Sequence, residues 1–160
     1  MSDFTMREFA LRAALESDLE KIVAIDGASF SQPWQPQTFA QQLYDEKTRV
    51  VVAHDVALDI ARALGDEIFG FGVAYVVGDE GEIATLAVAQ SARGCGLGQQ
   101  LLQSLCDWCA SRGAARVFLE VRESNASAQR LYGRLGFVVV GQRKNYYADG
   151  ETALLMKREF

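Results

Sequence analysis

The chain has 160 residues, 49% of them hydrophobic and 23% charged, with a formal net charge of −5. That length fills one core and is too short for two ordinary domains, so one domain over residues 1–160 is expected. A general nucleic-acid binder would carry a basic surface, so the acidic balance speaks against that class and mildly favours a cationic partner.

The first residues include Asp3, Glu8, Glu16, Asp18 and Glu20 and lack the apolar run of a secretory or membrane-spanning segment. A cytoplasmic protein without membrane contact is expected. Phe9 to Ala13 reads as a strand, and Ser17-Asp18-Leu19-Glu20 has the form of a capping box opening a helix. Leu19, Ile22, Val23 and Ile25 to Phe30 supply that helix's apolar side. Both prolines of the chain lie in Gln32-Pro33-Trp34-Gln35-Pro36, a turn, after which Phe39 and Leu43 mark a short second helix ending near Glu46.

Strands follow over Arg49 to His54, Ile68 to Val77 and Glu82 to Ala89. Between the first two, Asp55 to Glu67 reads as either a short helix or an extended hairpin loop. His54 has no second histidine or cysteine at metal-ligand spacing, so it reads as a strand-end residue and no metal site is expected. A helix begins at about Gly98 and places Leu101, Leu102, Leu105, Trp108 and Cys109 at the spacing of a face packed on a sheet. Cys106 and Cys109 form a C-x-x-C pair, but they lie well inside this helix, away from the N-terminus where a thiol is activated. They read as structural thiols of a reducing compartment.

Gly113 ends that helix, Ala115 to Val121 is a strand, and Ser124-Asn125 caps a helix running to Leu135 with Gly136 as its stop. Strands Phe137 to Arg143 and Ala153 to Lys157 complete the chain. A helix separates the strands of the Glu82 to Val121 unit, which therefore forms a right-handed parallel crossover, while the other neighbours can pair antiparallel. The expected fold class is α/β: a mixed, mostly antiparallel sheet with one parallel crossover pair and helices on both faces.

The chemistry concentrates around Arg93-Gly94-Cys95-Gly96-Leu97-Gly98, between a strand and a helix. Glycines there let backbone N–H groups approach an anionic oxygen at the positive end of a helix dipole. The loop lacks the Gly-Lys-Ser/Thr of nucleotide hydrolases, since Gln99-Gln100-Leu101 follows, and Gln99 stands where a dinucleotide fingerprint needs its third glycine. An anion-binding Arg-x-x-Gly-x-Gly turn and a purely structural tight turn remain as readings. Leu119-Glu120-Val121-Arg122 ends the second parallel strand next to this loop, which makes Glu120 the leading general-base candidate. Tyr132 stands roughly two helical turns beyond Asn125, on the same side of the last helix. Its ring can be core with the hydroxyl at the edge, or its phenol can serve as a proton donor; spacing does not choose.

Taken in order, Pro33-Trp34 with Thr38-Phe39, Leu86-Ala87-Val88, Arg93 to Gly98, Leu119 to Arg122 with Asn125, Leu131-Tyr132, Leu135-Gly136-Phe137 and Arg143-Lys144-Asn145-Tyr146-Tyr147 resemble the GNAT superfamily of N-acetyltransferases. The resemblance spans nearly the whole chain. It is strongest to the RimI type, the branch that acetylates the N-terminal alanine of a small-subunit ribosomal protein. It implies acetyl-coenzyme A as co-substrate and no metal. The backbone of Leu86, Ala87 and Val88 would pair with the pantetheine arm, Gly94, Cys95, Gly96, Leu97, Gly98 and Gln99 would hold the pyrophosphate, and Arg93 would also bind the cofactor. Asn125 would bind the cofactor, Glu120 accept a proton and Tyr132 donate one, while Trp34, Asn145, Tyr146 and Tyr147 would border a peptide groove.

The implied partner is a protein N-terminus, that of a basic ribosomal protein, with no direct nucleic-acid or membrane contact, met by a monomer or weak dimer. A free α-amine, with a pKa of about 7.7–8.0 against about 10.4 for lysine, asks less of the base. Competing readings are acetylation of a small-molecule amine or a protein lysine, and a non-catalytic module that binds coenzyme A. The last has no need of both Glu120 and Tyr132. Departures from the family pattern are Gly94 where many relatives carry a basic residue, Gln90 where many carry proline, a long Asp55 to Glu67 segment, and Cys95, either a small filler or an oxidisable thiol.

Overall fold

The computed structural model describes residues 7–56 and 67–160. The chain opens with β1 (Phe9–Ala13), a 3-10 turn (Glu16–Asp18), α1 (Leu19–Ser29) and α2 (Pro36–Leu43), then β2 (Thr48–Asp55), β3 (Ile68–Val77) and β4 (Glu80–Val88). A second 3-10 turn (Gln90–Ala92) leads into α3 (Leu97–Ser111), β5 (Arg116–Arg122), α4 (Ala126–Arg134), β6 (Val138–Arg143) and β7 (Ala153–Glu159). Apart from residues 55, 56 and 67, the segment read as a helix or hairpin loop lies outside the described residues.

The strands form one seven-stranded sheet in the order β1-β2-β3-β4-β5-β7-β6. Among the described residues only β4 and β5 are parallel, joined by α3 in the crossover that the separating helix demands. The remaining neighbours pair antiparallel. The mixed α/β architecture is therefore the one expected.

Helices cover the two faces unequally. On one face α3 buries Leu97, Leu101, Leu102, Leu105, Cys106 and Cys109, with Ala128, Tyr132 and Leu135 at and just beyond α4 packed beside them. On the other, Ile22 and Ile25 of α1 and Phe39 of α2 pack on β2, β3 and β4, and the Phe39 ring meets Phe71 edge-on at 5.4 Å. Residues Val50 to Asp55 of β2 are consequently all buried, the run expected of a strand covered on both sides. In β5 burial alternates instead: Val117, Leu119 and Val121 are buried under α3, whereas Arg116, Phe118, Glu120 and Arg122 are only half-buried on the opposite face. That partly uncovered face presents the candidate base.

Two local expectations change. The box read at Ser17 does not cap α1; Ser17 lies inside the 3-10 turn. The Asp18 carboxylate instead accepts the Leu15 N–H at 2.8 Å and pairs with Arg12 at 2.6 Å, so charge pairing across the turn sets the helix entry. At the other helices the stop and start signals act as read: the Asn125 side chain accepts the Ala128 N–H at 3.1 Å, and Gly113 and Gly136 follow α3 and α4 with φ of 89° and 88°. Cys106 and Cys109 are fully buried, and burial pushes their thiols up to about 11 and about 12, which leaves both as inert core groups.

Candidate active site

The site begins where two strands part. Pairing of β4 with β5 runs from Glu80 opposite Arg116 to Ile83 opposite Leu119 and stops there. At the same point β4 bulges: Thr85 faces Val73 and Ile83 faces Ala74 on β3, leaving Ala84 as an extra residue. A bulge bends its strand and strengthens the local twist, which carries β4 away from β5. The resulting cleft has a volume of about 440 Å³ and is lined by Thr85 and Leu86 of β4, Glu120 and Arg122 of β5, Trp34 and Phe30 from the α1–α2 connection, and Tyr132 and Tyr147.

A second hollow of about 590 Å³ continues it toward the start of α3, lined by Leu86, Ala87, Val88, Arg93, Gly94, Gly96, Leu97, Gly98 and Gln99. Phe30, Leu86, Asn125 and Tyr132 line both spaces, so the two are contiguous. Gly94 and Gly96 have left-handed φ of 79° and 82°, and among the described residues nothing lies within 4 Å of where a Cβ would project. No side chain caps α3, and its ladder begins with Gln100 N–H to the Gly96 carbonyl at 3.1 Å. The N–H groups of Leu97, Gly98 and Gln99 thus precede that first bond and sit at the positive helix end. A diphosphate fits these donors, and an extended, amide-bearing arm fits the β4 edge that has lost its strand partner. The residues present therefore suit acetyl-coenzyme A.

Not every loop residue faces the hollow. Cys95 is exposed and its thiol turns back to the Ala92 carbonyl at 2.8 Å, outside the lining. The Arg93 side chain folds onto the end of β4, its Nε donating to the Val88 carbonyl at 3.1 Å. Asn125 lines both spaces, but its side-chain oxygen is engaged as the α4 cap.

The two candidate proton carriers share the cleft. The Glu120 side chain is 19% exposed, lies 3.4 Å from Arg143 Nε and accepts a hydrogen bond from the Tyr146 hydroxyl. That bond to the carboxylate, with burial and charge adding to it, holds the Tyr146 phenol up at about 12. Tyr132 packs its ring against Phe137 at 6.2 Å, and burial pushes its phenol up to about 12, so it stays protonated and is equipped to donate.

Aromatic groups frame the far side. Tyr147 is covered by the Arg122 guanidinium at 3.9 Å from the ring centroid, and Arg122 is itself held by Asp149 at 2.8 Å and Glu151 at 3.1 Å. Trp34 stacks near Phe39 at 5.1 Å, and its backbone N–H donates at 2.8 Å to Asp26, a carboxylate that is 1% exposed. Asn145 stands apart from the cleft lining; with φ of 52° it shapes the turn that delivers Tyr146 and Tyr147. Sequence reasoning gave no role to Asp26, Arg122 or Arg143. Their part depends on packing between distant segments, although Arg122 and Arg143 each stand in a run that carries the family resemblance.

Among the described residues no helix is long and apolar enough to cross a membrane. A family model described as the acetyltransferase (GNAT) family matches residues 19–137. The ribosomal protein bS18-alanine N-acetyltransferase of Escherichia coli K12 is 34% identical over 143 residues, covering 88% of this chain and 90% of that protein. The protein of the same name from Haemophilus ducreyi is 30% identical over 150 residues, covering 91% and 97%. The crystal structure of the ribosomal-protein-S18-alanine N-acetyltransferase from Escherichia coli superposes with a TM-score of 0.80 at 32% identity, over 95% of this chain and 94% of that one. The chain belongs to the acetyltransferase (GNAT) family and is an acyltransferase.

Proposed function

We propose that this enzyme transfers the acetyl group of acetyl-coenzyme A to the N-terminal α-amine of a protein in the cytoplasm, and that its substrate is the N-terminal alanine of a ribosomal protein. The observation that carries the reading is the shared cleft: Glu120 and Tyr132 both line it, and Tyr132 also lines the hollow at the start of α3. A candidate base and a candidate donor thus share the space in which an acyl group would be presented. The relatives named for the same transfer support the choice of substrate.

The co-substrate supplies an activated acyl group as a thioester. Glu120 takes the proton of the incoming ammonium, directly or through one water, and the freed amine forms the new C–N bond. A backbone N–H on the unpaired edge near Leu86 to Val88 can polarise the acyl oxygen. As the C–S bond breaks, the Tyr132 hydroxyl donates a hydrogen bond to the departing sulfur, and the surplus proton of the acylated nitrogen passes to that thiolate, leaving an amide and the free thiol. An α-amine is roughly a tenth neutral near pH 7 and a lysine amine less than about a thousandth, so one carboxylate suffices for the former. Trp34 and Tyr147 line an open groove, with the Tyr146 ring edge-on to Tyr147 at 5.1 Å, an arrangement that suits a peptide better than a small amine needing enclosure.

The test is incubation with acetyl-coenzyme A and two peptides, one with a free N-terminal alanine and one blocked but containing lysine. Mass spectrometry is expected to show acetyl on the first only, with Glu120→Gln slowing turnover by about 10²- to 10⁴-fold. Transfer to the lysine peptide alone, or to neither, overturns the proposal.

A further inference from the structure

The cleft continues beyond Glu120, away from the glycine loop, into a depression of about 340 Å³ lined by Tyr75, Val77, Glu82, Phe118, Glu120 and Leu155. Register sets its geometry. Glu82 is opposite Phe118 across the β4–β5 pair, and Phe118 precedes Glu120 by one same-face step, about 7 Å along a strand. Tyr75 is opposite Glu82 across the β3–β4 pair, and its hydroxyl donates to Glu82 Oε2.

The carboxylates here differ in their partners. Glu80 is paired with Arg116 at 3.2 Å and Glu120 with Arg143 at 3.4 Å. Arg143 also lines the depression, with its Nε turned to Glu120. Among the described residues Glu82 has no cationic partner; the Tyr75 hydroxyl orients its charge without cancelling it. Beside it, Val77, Phe118 and Leu155 offer apolar surface, with Val77 61% exposed. One oriented carboxylate next to an apolar floor matches a side chain with a long aliphatic stem and a cationic head.

Resting on the function proposed above, we infer that Glu82, oriented by Tyr75, is a specificity-determining residue that receives an arginine or lysine side chain at the second position of the substrate peptide. With the α-amine at Glu120, the second residue lies about 3.8 Å further along the chain, and its long side chain spans the remaining distance to Glu82. The acidic net charge of −5 draws such cationic peptides to the enzyme.

The test compares kcat/KM on three peptides alike except for arginine, glutamine or glutamate after the N-terminal alanine. Each enzyme is judged by its ratio between peptides, which cancels any general loss of activity. The wild type is expected to favour arginine over glutamine by roughly five- to tenfold, mostly through KM. In Glu82→Gln that ratio falls to within about twofold, in Tyr75→Phe it takes an intermediate value, and Glu82→Lys shifts the preference to glutamate. An arginine preference that survives in Glu82→Gln and Glu82→Lys, or equal wild-type rates on arginine and glutamine, sinks the subsite and leaves the α-amine reading intact. Failure to acetylate any of the three α-amines sinks both.

Discussion

Replacing Tyr132 with phenylalanine removes one hydroxyl and leaves the ring against Phe137, 6.2 Å away, so the fold is retained and the readout is chemical. Burial holds the Tyr132 phenol at about 12. A departing thiolate of ordinary basicity has a pKa of about 8.5, so complete proton transfer from this phenol would be uphill by about 5 kcal/mol at roughly 1.36 kcal/mol per pKa unit. In the proposed role the hydroxyl would therefore act chiefly through a hydrogen bond given to sulfur as charge develops. A bond to a charged acceptor contributes about 1.5–3 kcal/mol, which is roughly 10- to 150-fold in kcat. Turnover is measured as acetylated peptide formed at saturating acetyl-coenzyme A between pH 6 and pH 10, beside a melting curve of each protein. Because a raised phenol pKa keeps the O–H intact at every pH below about 12, the wild-type profile has no descending limb from Tyr132 in this range. A loss under about threefold would remove the donor role, and one above about 10⁴-fold would mean that a full proton transfer is at stake. A fall in rate near pH 9 that disappears in the variant would contradict the elevated phenol.

Gly96→Ala places a Cβ in open space but on a residue with φ of 82°, so strain alone acts. The cost is about 1–2 kcal/mol, or roughly 2–8 °C in melting temperature, with a raised KM for acetyl-coenzyme A; an unchanged melting curve refutes it. Asp26 is buried with one carboxylate oxygen on the Trp34 N–H and the other without a hydrogen bond among the described residues, and burial raises its pKa. A carboxyl raised in the folded state favours folding below its unfolded pKa and loses that contribution as pH rises through the folded value. Urea unfolding is thus expected to show Asp26→Asn gaining on the wild type from pH 4 to pH 7, and a pH-independent difference disproves this. Cys95 is exposed while burial raises the Cys106 and Cys109 thiols to about 11 and about 12. Iodoacetamide at pH 8 should add one group to the native protein and three after denaturation; labelling of either buried thiol in the native state counts against it.

Much of this protein was legible residue by residue, because the signals involved act over a turn or a strand. Alternating or continuous apolar runs marked every strand, with Ile68–Val77 read to the residue, and Asn125, Gly113 and Gly136 punctuated the helices as observed. The glycine loop, the crossover and the neighbouring Glu120 followed from spacing and from the need of parallel strands for a long connection. What the chain order could not disclose was which distant segments meet. The entry to α1 depends on Arg12 reaching Asp18, and the cleft depends on the extra Ala84 where β4 leaves β5. The sheet order β5-β7-β6 brings Arg143 to Glu120 across an intervening strand, and the β3–β4 register sets Tyr75 beside Glu82. Local patterns decide the elements because backbone hydrogen bonding and side-chain periodicity are short-ranged, whereas pairing of charges and the splaying of strands exist only once the sheet has closed.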